Sequence, residues 1–207
     1  MKRILLFPFL LLTTVLAKAD VVFSIEDAKV KVGTNGTITV NLANDEDLRG
    51  FELKIFLPEG IAFRGAKVQK DNNRLPTTVT VIEDDEEIEY AGFSVSGNTQ
   101  TDGSYKISVS SISGQKIVAG EGALFKILVK ADENAALGDK VVTLNTVRYS
   151  KEVAGTPTLF TVDDVTGKVT VFTEYTVTAT SADETRGSAA GSGNYENGTD
   201  ATLTATA

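Results

Sequence analysis

The sequence predicts an all-β fold in which two sheets pack face to face as a sandwich. Short runs in which apolar and polar residues alternate recur about every 8 to 15 residues along the chain. Turn-forming Gly, Asn and Asp residues separate these runs. No segment shows a long apolar pattern with the period of an α-helix. Together these three observations are typical of a β-sandwich.

The most regular strand is GFELKIFLPEGI, residues 50–61. One face of this strand carries Phe51, Leu53, Ile55 and Leu57, and the other carries Glu52, Lys54 and Phe56. Pro58 and Gly60 end the strand, because proline cannot donate to a ladder and glycine tolerates positive φ. An apolar face this regular needs a second sheet to cover it.

Three strands are predicted before this segment. Their alternating apolar residues are Val21, Phe23 and Ile25, then Ala28, Val30 and Val32, then Ile38, Val40 and Leu42. A turn cluster at residues 33–36 and an acidic loop at residues 44–47 divide the region. Each run is short, as expected for strands of a sandwich.

The remaining strands are predicted after residue 60. They lie at residues 61–63, 77–82, 88–95, 105–109, 123–129 and 141–147, with two short runs around Thr166-Gly167 in 160–171. The apolar segment ALFKILV, residues 123–129, is predicted as a central strand. Residues 67–75 are predicted as a loop, Ala91-Gly92 as a β-bulge, and residues 131–137 as one helical turn ended by Gly138.

The N-terminus has the pattern of a secretory signal peptide. Lys2 and Arg3 precede an apolar run over residues 4–16, and Ala17-Lys18-Ala19 has the form of a cleavage site. A membrane anchor is disfavoured because a span needs about 20 apolar residues. We therefore expect residues 1–19 to be removed, with no membrane insertion afterwards, and the protein to be secreted or held at the cell surface.

Composition excludes several classes of function. The formal net charge is −8, and loss of Lys2, Arg3 and Lys18 would lower Lys+Arg from 20 to 17 against 28 Asp+Glu, giving −11. This charge argues against nucleic acid as a partner. The chain has no Cys and no His, so it has neither disulfides nor the commonest general base and transition-metal ligand. No catalytic residue and no cofactor is predicted.

The order of several motifs over residues 20–172 resembles a cohesin-type domain, the scaffold module of cellulosomes. The matching segments are GFELKIFLPEGI, DGSYKISVSS, GEGALFKILVKA, VVTLNTVRYS and TGKVTV. The resemblance implies a jelly-roll sandwich of about nine strands, a fold shared with carbohydrate-binding modules. It also implies binding of a dockerin-like protein, a small Ca²⁺-loaded helical module, on one exposed sheet face. The resemblance does not identify contact residues one by one, so the candidate binding residues are the outward sides of two strands, namely Glu52, Lys54 and Phe56 with Lys106, Ser108 and Ser110.

The C-terminal region, residues 173–207, resembles the opening of an internalin-type B repeat, a small β module of bacterial surface proteins. The matching features are YTVTAT, the small residues at 187–193, Tyr195, Gly198 and ATLTATA. We therefore expect a truncated β repeat after the sandwich domain at residues 20–172.

Acidic and aromatic residues offer alternative sites. The run EDDEEIE, residues 83–89, could offer oxygen ligands to Ca²⁺, but it lacks the EF-hand pattern. It is better explained as a solvated segment or as a charged edge strand that discourages pairing with another sheet. The same explanation applies to residues 45–47 and 163–164.

Polysaccharide is the alternative ligand. The absence of Trp weakens it, and Tyr90 and Tyr105 lie in phase with apolar residues, so Phe56 is the aromatic candidate. A structural spacer is the third hypothesis.

Overall fold

The computed structural model describes residues 21–83 and 86–207. The predicted signal peptide lies outside the described residues. Within them the secondary structure is β throughout, without an α-helix. The strands are β1 Val21–Ile25, β2 Ala28–Lys31, β3 Asn35–Asn44, β4 Leu48–Phe56, β5 Ile61–Lys70, β6 Thr78–Glu83, β7 Glu86–Ala91, β8 Phe93–Thr99, β9 Tyr105–Ser111, β10 Gly120–Ala131, β11 Gly138–Val153, β12 Thr156–Val162, β13 Val165–Phe172, β14 Glu174–Val177, β15 Ser188–Ala190, β16 Gly193–Glu196 and β17 Thr204–Thr206.

Two sheets form the sandwich, which confirms the predicted all-β jelly-roll fold. The first sheet has the order β1-β3-β10-β5, and the second has the order β2-β13-β11-β4-β9-β8, with β12 added beside β11. Neighbouring strands are antiparallel except for the parallel pair β2 and β13. Within the described residues the two sheets hold 11 strands, four in the first and seven in the second with β12 included, and not about nine.

The core lies between the inward faces of the two sheets. In β4 the predicted alternation is confirmed, since Phe51, Leu53 and Ile55 are buried. The ring of Phe51 lies 5.3 Å from that of Phe23 and 6.4 Å from that of Phe125, centroid to centroid. Aromatic contacts of this kind join both sheets through one cluster. The β10 segment is central, between β3 and β5, as predicted.

Two local predictions are wrong. Residues 131–137 form a turn, in which the amide of Ala135 donates to the carbonyl of Asp132 at 3.1 Å, and not a helical turn. The predicted loop at residues 67–75 begins later, since β5 continues to Lys70 through an irregular pairing with β10. Lys67 adopts a positive φ of 64° in that stretch. The local pattern failed here because pairing with a neighbouring strand overrides a polar sequence.

The structure also differs from the prediction at Gly92, predicted in a β-bulge, and at Gly167, predicted between two short runs. Gly92 is not a bulge within one strand but the junction between β7, which pairs with β6, and β8, which pairs with β9. A Cβ at Gly92 would lie 2.1 Å from the carbonyl oxygen of Pro76, so only glycine fits there. Gly167 lies inside β13, opposite Val142. The chain reverses at Ala154-Gly155, between β11 and β12, and β12 and β13 then run in the same direction along one edge of β11.

The C-terminal residues form two small two-stranded sheets, β14 with β16 and β15 with β17. None of residues 173–207 is buried. This region meets the sandwich through ion pairs from Lys29 to Glu196 at 2.6 Å and from Lys31 to Glu174 at 2.7 Å. It has no hydrophobic core of its own within these residues.

Candidate protein-binding face

The outward face of β8, β9, β4, β11 and β12 brings the six predicted site residues together. Register places Lys54 opposite Lys106 and Glu52 opposite Ser108. Because directly opposed residues point to the same side of an antiparallel sheet, these four side chains share one surface. Ser110 and Phe56 lie in the same outward phase of their strands, although Phe56 is half-buried. We name this surface the outer face.

A row of small residues crosses the outer face from strand to strand. Register gives its members in order as Ser94, Ser110, Gly50 and Ser150, and Leu159 of β12 lies next to Ser150 at one end. We name it the small-residue row. A shallow depression of about 350 Å³ follows it, because the serines are short and Gly50 has no side chain. At the β12 end, Leu159 is 63% exposed.

Two bulges determine which side chains point outward. In β11, Asn145 pairs with Lys54 and Arg148 with Glu52, so one residue is in excess, and Thr146 there has a positive φ of 51°. The bulge shifts the phase of the strand and turns Arg148 outward. In β4, Leu48 pairs with Lys151 and Gly50 with Ser150, which leaves Arg49 unmatched in register. Bulges of this kind often lie beside functional surfaces.

Two charged triads flank the small-residue row. On one side, Glu52 is 2.9 Å from the Lys106 Nζ and 3.7 Å from the Arg148 Nη1, which we name the Glu52 triad. On the other side, Glu152 is 2.7 Å from the Lys116 Nζ and contacts the Arg49 guanidinium, which we name the Glu152 triad. Each triad holds one carboxylate between two cations.

Hydrogen bonds hold two carboxylates of this surface in the ionised form. Donation from Lys116 and Arg49 lowers the pKa of Glu152 to about 2. The Ser104 hydroxyl, Lys54 and the Ser104 amide lower the pKa of Asp102 to about 2. Carboxyl groups with such pKa values hold no proton near neutral pH, so neither can serve as a general acid.

Stability should fall as the pH drops from about 4.5 to about 2. Since the pKa of Glu152 is 4.5 as an unperturbed group and about 2 in the folded chain, its contribution is present above pH 4.5 and is lost as the pH falls through about 2. Glu152→Gln should flatten this part of the profile in thermal melts at low ionic strength. Glu59→Gln, in the exposed turn after β4, should leave the profile unchanged, and an equal effect of both variants would contradict the assignment.

Other candidate sites receive no support from the described part of the chain. Within it, no group of three or more acidic side chains is arranged to hold a metal ion. Glu86, Glu87 and Glu89 are exposed on β7, whereas residues 84–85 of the acidic run lie outside the described residues. Across the same ranges, no helix has the length and apolarity required to cross a bilayer.

The aromatic residues occupy mostly structural positions. Tyr149 is buried and stacks on Phe160 with ring centroids 5.3 Å apart. Tyr105 is half-buried, with its ring centroid 5.5 Å from that of Phe63. Tyr90 pairs across the hairpin with Val79. These placements leave Phe56 as the aromatic side chain of the outward phase in β4.

Sequence reasoning missed half of this surface. It did not identify Gly50, Arg148, Ser150 or Leu159 as neighbours of Ser110, because their proximity depends on pairing between distant strands. The motif VRYS, where Arg148 and Ser150 alternate around Tyr149, was the available signal. This motif indicates an outward Arg148 and Ser150 next to Gly50 only when β11 is known to extend to Val153 and to pair with β4.

Comparison with solved structures finds the cohesin fold. The seventh ScaB type I cohesin from Pseudobacteroides cellulosolvens superposes with a TM-score of 0.53 at 13% identity, covering 79% of this chain and 96% of that one. A non-cellulosomal cohesin from Archaeoglobus fulgidus gives 0.51 at 13%, covering 81% and 96%. A type I cohesin–dockerin complex from Clostridium thermocellum gives 0.54 at 14%, covering 74% and 99%. No family model matches the sequence, and no curated protein matches it.

Proposed function

We propose that this chain is a secreted, non-catalytic binding module that holds a dockerin-like protein partner on its outer face. The cohesin fold supports this proposal, and one of the solved structures with that fold is a complex with a dockerin. Export rests on the N-terminal pattern of Lys2, Arg3 and the apolar run at residues 4–16. The module would belong to a bacterial surface or polysaccharide-utilisation protein.

The observation that carries the proposal is the composition of the outer face. It is broad and open, it spans five adjacent strands, and its centre is a row of small residues between two charged triads. Protein interfaces commonly combine such an uncharged centre with a polar, charged rim. An enzyme would need an enclosed cleft with acid–base groups of tuned pKa, and the depression along the row is shallow.

Polysaccharide remains the competing ligand because the same fold serves carbohydrate-binding modules. Sugar rings stack on flat, exposed aromatic side chains. On β4, the outward aromatic is Phe56, which is half-buried opposite Thr143. The outer face therefore favours a protein ligand over a crystalline glycan surface.

The test is direct binding of the full chain to a panel of purified dockerins and, in parallel, to a glycan array. We expect a dockerin to bind, and Ser110→Arg to weaken that binding by at least about tenfold, because a large charged side chain would fill the centre of the row. Thr37→Arg, on the outward side of the opposite sheet, is the matched control and should bind as the parent does.

Binding to a soluble glycan without any protein partner would overturn this proposal in favour of a carbohydrate-binding module. Failure to bind in both assays would favour a structural spacer. The C-terminal strands are compatible with a spacer role, and we propose that residues 173–207 begin an internalin-type repeat. Their lack of a buried core supports reading them as part of a unit separate from the sandwich.

A further inference from the structure

The ion pairs around the small-residue row carry a net charge opposite in sign to that of the protein. Around the small-residue row, the ion-paired side chains are the cations Arg49, Lys54, Lys106, Lys116 and Arg148 and the carboxylates Glu52, Asp102 and Glu152. This is a surplus of two positive charges on a chain whose formal net charge is −8. Most of the negative charge of the protein therefore lies outside these ion pairs.

The surplus comes from the way the carboxylates are shared. Lys54 is matched by Asp102 at 3.0 Å, so that pair is neutral. Each triad, in contrast, sets one glutamate against two cations and keeps one positive charge. The most exposed of these cations is Arg148, at 46%, and its 3.7 Å separation from Glu52 is longer than a hydrogen bond. Arg148 can therefore turn towards an incoming carboxylate at little cost.

The two triads lie on opposite sides of the small-residue row. Glu52 is two residues from Gly50 along β4, and Glu152 is two residues from Ser150 along β11. At about 3.4 Å per residue, the triads are about 13 Å apart along the strands. A single segment of a partner chain can therefore cross the small-residue row, with the residues on one side of its centre beside the Glu52 triad and those on the other side beside the Glu152 triad.

The row also offers one aliphatic contact. Leu159 projects from β12 next to Ser150, and it lines the depression together with Tyr149 and Gly50. An exposed leucine beside a depression at the centre of a charged rim is a favourable place to bury an apolar side chain of a partner.

We propose that the outer face selects an acidic protein segment that carries an aliphatic side chain between two groups of carboxylates. The carboxylates would meet the two triads, and the aliphatic side chain would pack against Leu159. This inference rests on the proposed function, since it specifies the chemistry of the partner at the same surface. A basic partner would have to bury the surplus positive charge without compensation, which is costly, so the face also excludes such partners.

The probes are four synthetic peptides with the cores EELEE, QQLQQ, KKLKK and EEGEE, each between glycine pairs. Binding to the full chain is followed by shifts of backbone amide resonances in a titration. We expect EELEE to shift Gly50, Ser110 and Ser150 saturably, and QQLQQ and EEGEE to bind at least about fivefold more weakly. KKLKK should not bind. Raising the salt from about 50 to about 300 mM should weaken EELEE at least about threefold.

A matched pair of variants separates the face from the overall charge. The first double variant, Arg148→Gln with Lys116→Gln, removes the surplus positive charge from both triads. The second, Lys126→Gln with Lys130→Gln, removes the same amount of charge from the exposed side of β10. Lys116 is half-buried and the other three positions are exposed, and thermal melts verify folding. We expect the first pair to weaken EELEE at least about fivefold and the second to leave its affinity unchanged.

Several results would overturn this inference. With the peptides, these results are the absence of a saturable shift with EELEE, or an affinity for QQLQQ equal to that for EELEE. With the variants, the result is an equal loss of EELEE affinity in the two double variants. Tighter binding of polygalacturonate than of EELEE at the same amides, or self-association of the chain through this face, would also overturn it. If Ser110→Arg blocks a dockerin while the triad variants do not, the proposed function stands and this inference fails. If the triad variants weaken EELEE while Ser110→Arg leaves a dockerin bound, the inference stands and the proposed function fails.

Discussion

Phe125→Ala is expected to destabilise the sandwich by about 3–5 kcal/mol. Phe125 is fully buried in β10, the central strand of the first sheet. Its ring contacts Phe51 of the second sheet, which in turn contacts Phe23. Truncation removes apolar contacts on both sides and leaves a cavity between sheets that cannot close easily. Since domains of this kind are stable by about 5–15 kcal/mol, much of the total would be lost.

Urea denaturation followed by far-ultraviolet circular dichroism measures this effect as a lower transition midpoint. Phe56→Ala is the matched control, because the same side chain there lies half-buried on the outer face. Its loss should be no more than about 1.5 kcal/mol, since only part of the ring leaves water on folding. Similar losses for both variants would contradict a core centred on the cluster of Phe23, Phe51 and Phe125.

Alternation of apolar residues was sufficient to predict most of the sandwich. From Phe51 to Phe56 in β4 and around Ile107 and Val109 in β9, burial alternates, so the inward set of Phe51, Leu53, Ile55 and Ile107 could be identified without a structure. The same argument predicted that Glu52 and Lys54 point outward. A period of two identifies faces well because a strand has only two of them.

Local patterns failed where the chain changes partners. The run from Tyr90 to Val95 looks like one strand with a bulge, but its halves pair with β6 and with β9. The strand with which each half pairs is determined by tertiary structure, and the alternation of residues within the run does not indicate it. The two-residue turn at Ala154 and Gly155, with φ of 50° and 78°, was also missed, because alanine is not a usual residue for positive φ.

The outer face could be predicted only in part for the same reasons. Glu52, Lys54 and Ser108 follow from alternation along β4 and β9, but their common surface depends on the pairing of those strands. Arg148 was hidden by the bulge in β11, which reverses the phase between Leu144 and Tyr149. Detecting it would require predicting the positive φ at Thr146, which its β-branched side chain disfavours.

Arg74→Ala is expected to destabilise the protein by about 1.5–3 kcal/mol, although the residue is only half-buried. Its guanidinium donates to the carbonyl of Val118 at 3.0 Å, to that of Gly120 at 3.2 Å, and to the Asn44 side chain. Asn44 is buried and donates in turn to the carbonyls of Glu46 and Val118. Through these hydrogen bonds, Arg74 in the connection after β5 holds the connection after β3 and the connection before β10 in place.

The cost of this substitution comes from the acceptors that lose their donor. The Asn44 oxygen is shielded from water, so removal of the guanidinium leaves it unsatisfied, and a buried polar group without a partner costs more than a lost surface contact. Arg64→Ala, on an exposed position of β5, is the matched control and should change the free energy of unfolding by less than about 0.5 kcal/mol. If both variants unfold at the same urea concentration, packing around Ile117 and Leu124, and not the hydrogen bonds of Arg74, holds these connections against the sandwich. If Arg74→Ala alone shifts the midpoint, the hydrogen-bonded centre at Asn44 is what fixes these connections to the sandwich.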